Sequence, residues 1–188
     1  MGPLTFSASL ASPAATRALG RRLGALLEAG DCVALEGDLG AGKTLFARAV
    51  CEGAAVPKDV HVASPTFALV NVYEGGRVRL VHADLYRLAG PDELYAIGWD
   101  DLVAGGGALL VEWAERVPGA LPPERLRVQL AHGARASERL VTLSGDGGRG
   151  AELVTRLAKP PAAAASAAAK RPRRGARPPA PRATRRRR

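Results

Sequence analysis

Eight residues, GDLGAGKT at positions 37 to 44, restrict what this chain can fold into more than any other segment. They fit the pattern G-x-x-x-x-G-K-[ST], preceded by a short apolar run, CVALEG, and followed by a helix-forming one, TLFARAVCEGA. A buried strand that turns on glycine into a helix belongs to an α/β layer, and the turn lies at the carboxyl end of the strand. Gly37, Gly40 and Gly42 permit the tight torsions, so that the loop amides, with Asp38, Leu39 and Ala41 between the glycines, can point inward at phosphate oxygens. The helix start adds free N–H groups and the positive end of its dipole. Lys43 then bridges β- and γ-phosphate as a point charge, and Thr44 offers its hydroxyl to Mg2+. The expected ligand is a nucleotide with its magnesium ion.

The remaining segments supply the rest of an α/β domain. Ser12-Pro13 starts an amphipathic helix over residues 13 to 29, with apolar Leu19, Leu23, Leu26 and Leu27 at helical spacing and Gly30 as its stop. Phe67 to Tyr73 and Val78 to Ala83 flank a Gly75-Gly76 turn and read as paired strands. GPDELYAIGWDDLVAGG begins as a helix at Pro91 and breaks at Gly98, whereas GALLVEWAE is a short buried strand. RLRVQLAH and ERLVTLSG alternate as two antiparallel strands around Gly133, and GAELVTRLA is a last helix. These elements make one domain over residues 1–158, a mixed sheet flanked by helices.

Charge separates that domain from the carboxyl-terminal stretch. The formal net charge is +9, yet residues 159 to 188 carry eleven of the 27 Lys and Arg and no acid. Residues 1 to 158 therefore hold 16 basic and 18 acidic side chains, a net of −2. The Ala/Pro/Arg stretch 159–188 has too little apolar surface to offset its ordering entropy and is expected to be disordered. It reads either as a dispensable solvated extension or as a basic arm lying on RNA phosphates. No apolar run approaches the ~20 residues that cross a bilayer, and no secretory signal is apparent, so a cytoplasmic protein with no membrane contact is expected. Cys32 and Cys51 lack CxxC spacing and read as small buried hydrophobes.

Nucleotide hydrolysis also needs an acid near the metal and a group that orients water. Asp84, after RVRLVHA, and Glu112, after GALLV, both end apolar strands, where ligands of open α/β sheets gather. His82 reads as a packed or hydrogen-bonded strand residue rather than a metal ligand, since no second His or Cys stands at ligand spacing. Tyr86 and Arg87 read as loop anchors, with an arginine finger as the alternative for Arg87. Tyr73, Tyr95 and Trp99 are too scattered for an RNA-stacking platform.

Five segments in order, GDLGAGKT, SPTFALVNVYE, HADLYRL, DELYAIGWDD and LVEWAERVP, closely resemble the TsaE (YjeE) family, the P-loop ATPases of bacterial tRNA threonylcarbamoyladenosine biosynthesis. The resemblance implies a P-loop NTPase-like fold with ATP and Mg2+ as cofactors. It also implies partnership with TsaD and TsaB homologues, and with tRNA through that complex. ATP hydrolysis, weak in the isolated chain and stimulated by the partners, would reset the complex between rounds of modification. By position, Ser64, Pro65 and Thr66 match a switch-like loop with Thr66 near the γ-phosphate, and Asp84 matches the acid implicated in hydrolysis. Glu112 matches an acid at the magnesium site, Trp113 an aromatic beside the nucleotide, and Thr16 a threonine near the base. Val72 and Ala68 depart from the family, which often has Glu and Thr there; neither lies in the phosphate loop. Two other readings of the same residues are a small-molecule kinase, with Asp84 beside an acceptor hydroxyl, and an RNA-binding adaptor working through the basic tail.

Overall fold

A computed structural model describes residues 2–160 except 118 and 120. All but the first two residues of the expected tail, 159–188, thus lie outside the described residues. The described chain forms a seven-stranded sheet in the order β1-β7-β6-β2-β5-β4-β3. At its centre β2 (Cys32–Glu36) runs parallel to β5 (Ala108–Glu112) and β6 (Arg125–His132), and β4 (Leu80–Asp84) runs parallel to β5. The edges are antiparallel: β3 (Val70–Tyr73) on β4, and β7 (Arg139–Asp146) on β6 with β1 (Leu4–Leu10) outside it. The expected mixed α/β sheet is the one observed.

Period-two alternation divides the sheet's side chains between two cores. Val33 and Leu35 of β2, Leu80 of β4 and Leu110 of β5 pack against α1 (Pro13–Gly24), α2 (Lys43–Gly53) and α5 (Gly147–Ala158). Cys32, Ala34, Val81, Ala83, Leu109 and Val111 point the other way, toward α3 (Pro91–Ala96) and α4 (Trp99–Ala104). Central strands buried on both faces read as continuous apolar runs, which is why CVALE and ALLVE were legible as strands. Burial pushes the thiols of Cys32 and Cys51, one in each core, up to about 12.

Besides shifts of two or three residues in β4 and α5, two boundaries and one strand differ from the sequence reading. The first helix starts at the expected cap, with Ser12 Oγ accepting from the Ala15 amide, but ends at Gly24 rather than residue 29. A β-carbon at Gly24 would run into the Val50 carbonyl of α2, and the Arg77 guanidinium donates to the carbonyls of Gly24, Ala25 and Leu27. Those carbonyls therefore point at a side chain instead of at a further helical turn, while Leu27 still reaches the core, so the apolar spacing outlasts the helix. The strand expected from Phe67 begins only at Val70, because Leu69 takes a left-handed φ of 63° and Phe67 faces solvent. The edge strand β1 was not anticipated, although Leu4, Phe6, Ala8 and Leu10 alternate; it pairs residue by residue with β7 from Leu4–Gly145 to Leu10–Arg139. Among the described residues no helix is long and apolar enough to cross a membrane.

Candidate nucleotide site

The loop between β2 and α2 is shaped by its neighbours as much as by its own glycines. Gly37 has φ 128°, and a β-carbon there would run into the Leu130 carbonyl of β6, so the first residue of the turn tolerates no side chain. Gly42, left-handed at φ 104°, is the N-cap of α2 and aims the first helical amides into the turn. Lys43 opens that helix. Its ammonium donates to the carbonyls of Gly37 and Asp38, the latter at 2.9 Å, and lies 3.4 Å from the centroid of the Trp113 ring. Burial lowers the Lys43 pKa, against the opposing pull of Glu115, Glu112, Asp84 and Asp38. A cavity of about 190 Å³ opens here, lined by Leu39, Gly40, Gly42, Lys43, Thr44, Leu45, Glu112 and Trp113.

Trp113 reaches this cavity through an unusual backbone. It sits at φ 59° immediately after β5, with its amide donating to the Leu35 carbonyl at 2.9 Å. A non-glycine residue held left-handed stores roughly 1–3 kcal/mol of strain. Here the strain turns the indole toward Lys43, with the Tyr86 ring 4.8 Å away.

The two strand-end acids stand side by side, Asp84 of β4 in register with Glu112 of β5. Glu112 is buried, and its Oε2 accepts from the Thr44 hydroxyl at 2.9 Å while Oε1 meets His82 Nε2 at 3.0 Å. Asp84 Oδ2 accepts from the hydroxyls of Ser64 at 2.6 Å and Thr66 at 2.8 Å; Oδ1 accepts from the Tyr86 amide at 3.0 Å. Ser64 and Thr66 are themselves 3.0 Å apart. No cluster of three or more His, Cys, Asp and Glu suited to a metal occurs among the described residues. Magnesium does not require one, because it typically takes one or two protein oxygens and fills its shell with water and phosphate. A threonine hydroxyl and a carboxylate already within hydrogen-bond distance are a donor set of that kind.

The fold thus brings Lys43, Thr44, Glu112 and Trp113 around one cavity, with Asp84 and Thr66 joined beside it. Asp38 contributes its carbonyl to Lys43, and Leu39 is 75% exposed at the loop's outer edge. Thr16 is buried in α1, where its hydroxyl donates to the Ser12 carbonyl; it does not line the cavity. Two neighbours of the loop escaped the sequence reading. Arg139, at the head of β7, donates from Nε to the Ala41 carbonyl at 3.0 Å and from a terminal nitrogen to Gly40 at 3.2 Å. His132, its register partner at the end of β6, places Nε2 3.4 Å from the Leu39 carbonyl. Neither has a local signature, because only the β6–β7 pairing carries them to the loop.

Residues 10–141 match the family described as "Threonylcarbamoyl adenosine biosynthesis protein TsaE". The chain belongs to the TsaE family. The tRNA threonylcarbamoyladenosine biosynthesis protein TsaE of Bacillus subtilis is 37% identical over 148 residues, covering 79% of this chain and 90% of that protein. The protein of the same name from Streptomyces coelicolor is 43% identical over 139 residues, covering 71% of this chain and 92% of its own length. Among solved structures, that of YdiB from Bacillus subtilis superposes with a TM-score of 0.71 at 31% identity, covering 84% of this chain and 96% of that one. The family match spans the phosphate loop, Ser64 to Thr66, both acids and Trp113, and extends to Arg139.

Proposed function

We propose that this chain is the ATP-binding and hydrolysing subunit of tRNA threonylcarbamoyladenosine biosynthesis, acting in the cytoplasm on a complex of TsaD and TsaB homologues and resetting it between catalytic cycles. The pathway is supported by the names of its relatives. The ATPase reading rests on one observation: Thr44 and Glu112 face each other at the mouth of the phosphate loop while the adjacent Asp84 is held by Ser64 and Thr66.

In this reading the amides of the loop from Gly37 to Gly42 and the amino terminus of α2 cradle the β-phosphate. Lys43 exchanges the Gly37 and Asp38 carbonyls for phosphate oxygens, a trade favoured because its burial leaves the ammonium short of solvation. Thr44 and Glu112 would hold Mg2+, which would supply charge neutralisation to the phosphate groups. Asp84 orients the attacking water and accepts its proton as the bond to the ADP leaving group breaks. Thr66 and Ser64 now satisfy that carboxylate; a γ-phosphate drawing Thr66 away would free Asp84 for the water, so loop closure and hydrolysis become one event. Trp113 covers the Lys43 ammonium and walls the phosphate end of the site. A base-side role for Thr16 is carried by the family resemblance alone. Residues 1–158 form the ATPase unit in this reading, and 159–188 an appendage.

Reconstituted tRNA threonylcarbamoylation with and without the chain tests this directly. Partners should raise its ATP turnover, and Lys43→Ala should abolish support of modification. Unchanged turnover with TsaD and TsaB homologues, together with full support by Lys43→Ala, would sink the proposal.

A further inference from the structure

His82 belongs to no step of the proposed hydrolysis, yet it is buried in contact with one of the two acids. The side chains of His82 and Glu112 are 0% and 1% exposed, and the imidazole meets the carboxylate at 3.0 Å. His82 pairs in register with Leu110, one pleat behind Glu112 on the same face of the sheet, so its ring reaches forward along the strands to the acid. The residue before it on that face of β4 is Leu80, packed in the core. The second nitrogen of the buried imidazole, Nδ1, has no hydrogen-bond partner among the described residues. Burying a polar atom without a partner is unfavourable. The Tyr73 ring lies beside the imidazole, 6.2 Å between centroids, but its hydroxyl is turned to the Ala63 carbonyl.

We infer that His82 is a positioning residue for Glu112: by donating Nε2–H to Oε1, it fixes the carboxylate so that Oε2 alone faces Thr44 and the magnesium position. The inference rests on the magnesium role proposed for Glu112. Glutamate has three side-chain torsions, and at the end of a strand nothing else among its hydrogen bonds holds Oε1. A carboxylate oxygen accepts, which makes Nε2 the donor of this contact. Partners of this kind, one shell behind a metal ligand, typically set about 10–100-fold in metal affinity.

The test uses the full chain and a fluorescent non-hydrolysable ATP analogue, titrated with Mg2+ alone, beside binding in EDTA and thermal unfolding. His82→Phe keeps a planar ring and removes the donor; its Mg2+ midpoint should rise about 10–100-fold while metal-free nucleotide affinity stays near wild type. His82→Gln places an amide N–H near the Nε2 position and should recover most of that affinity, whereas His82→Asn, whose amide reaches only the Nδ1 position, should not. The Gln/Asn pair keeps the test decisive if the Phe variant fails to fold, since both are polar and similar in size. A wild-type Mg2+ midpoint in His82→Phe, or equal losses in the Gln and Asn variants, would overturn the inference. Wild-type protein that binds the analogue without any response to Mg2+ would overturn the magnesium reading of Glu112 itself, and the inference with it.

Discussion

Asp84 and Glu112 occupy equivalent places, the last residues of adjacent parallel strands in register, but the molecule holds them in opposite ways. Glu112 is gripped by the frame: an imidazole from within β4 and a hydroxyl from the first turn of α2. Asp84 is gripped by a loop, through the two hydroxyls of Ser64 and Thr66. The residue after that loop's threonine, Phe67, is 84% exposed, with the Arg87 guanidinium 4.2 Å above its ring. Partners that belong to packed elements leave together with the fold; partners on a surface loop can leave alone. The first acid is suited to hold something still, and the second to be released.

The most severe way to test this contrast is to remove each charge in turn. Asp84→Asn should slow phosphate release in single-turnover measurements by about 10²–10⁴-fold, the usual contribution of a positioned base, with the Mg2+ midpoint of nucleotide binding nearly unchanged. Glu112→Gln should do the reverse and shift mainly the Mg2+ midpoint. If both variants moved the same quantity, the two acids would be one functional unit and the contrast would break.

A smaller effect should follow from loosening only the loop. Thr66→Val removes one of the two hydroxyls on Asp84 and should raise hydrogen exchange over residues 63 to 69 without altering exchange in β5. Equal deprotection of β5 would show that both acids share one rigid unit. Smaller again is the brace from the far side. Arg139→Met should weaken nucleotide binding about five- to tenfold, as expected for two net hydrogen bonds that keep the Gly40 and Ala41 carbonyls turned outward. Equilibrium titration reads this effect, and a variant with wild-type affinity would mean the loop holds its shape unaided.

The smallest effect near neutral pH concerns the two cores behind these acids. Cys32 and Cys51 stay protonated in the folded chain up to about 12, whereas an unfolded chain loses both protons near its ordinary value. Below that ordinary value the contribution is fully present; above it the unfolded state binds fewer protons, so stability falls as pH rises. The slope is about 1.4 kcal/mol per pH unit for each thiol. Denaturant unfolding at pH 8 and pH 10, compared with a Cys32→Ala, Cys51→Ala variant, should show a loss in the parent that the variant lacks. Identical losses would place the thiols in looser surroundings than the packing implies.

Much of this architecture was legible because it is local. The apolar runs of β2 and β5, the glycines of the turn, the Ser12 cap and the break at Gly98 each obey rules that act within a few residues. The first helix and β3 were overextended for the same reason: residue spacing reports which side chains are apolar, and it is silent about Arg77 capturing the carbonyls after Gly24 or Leu69 turning left-handed. The edge strand β1 was missed because pairing with β7, some 135 residues away, is what makes it a strand.

The site divides along the same line. Gly37 to Thr44 announces phosphate cradling from its own sequence, since the loop's amides, its lysine and its hydroxyl are contiguous along the chain. The acids were visible as strand ends, but their different grips were not. Register sets Asp84 beside Glu112, and strand order brings His82 behind one of them and the Ser64–Thr66 loop across the other. Arg139 reaches the phosphate loop only because the β6–β7 hairpin brings its turn end to it. Contacts between residues distant in the chain depend on how strands pair and which face each side chain takes, and those are settled only when the whole sheet assembles.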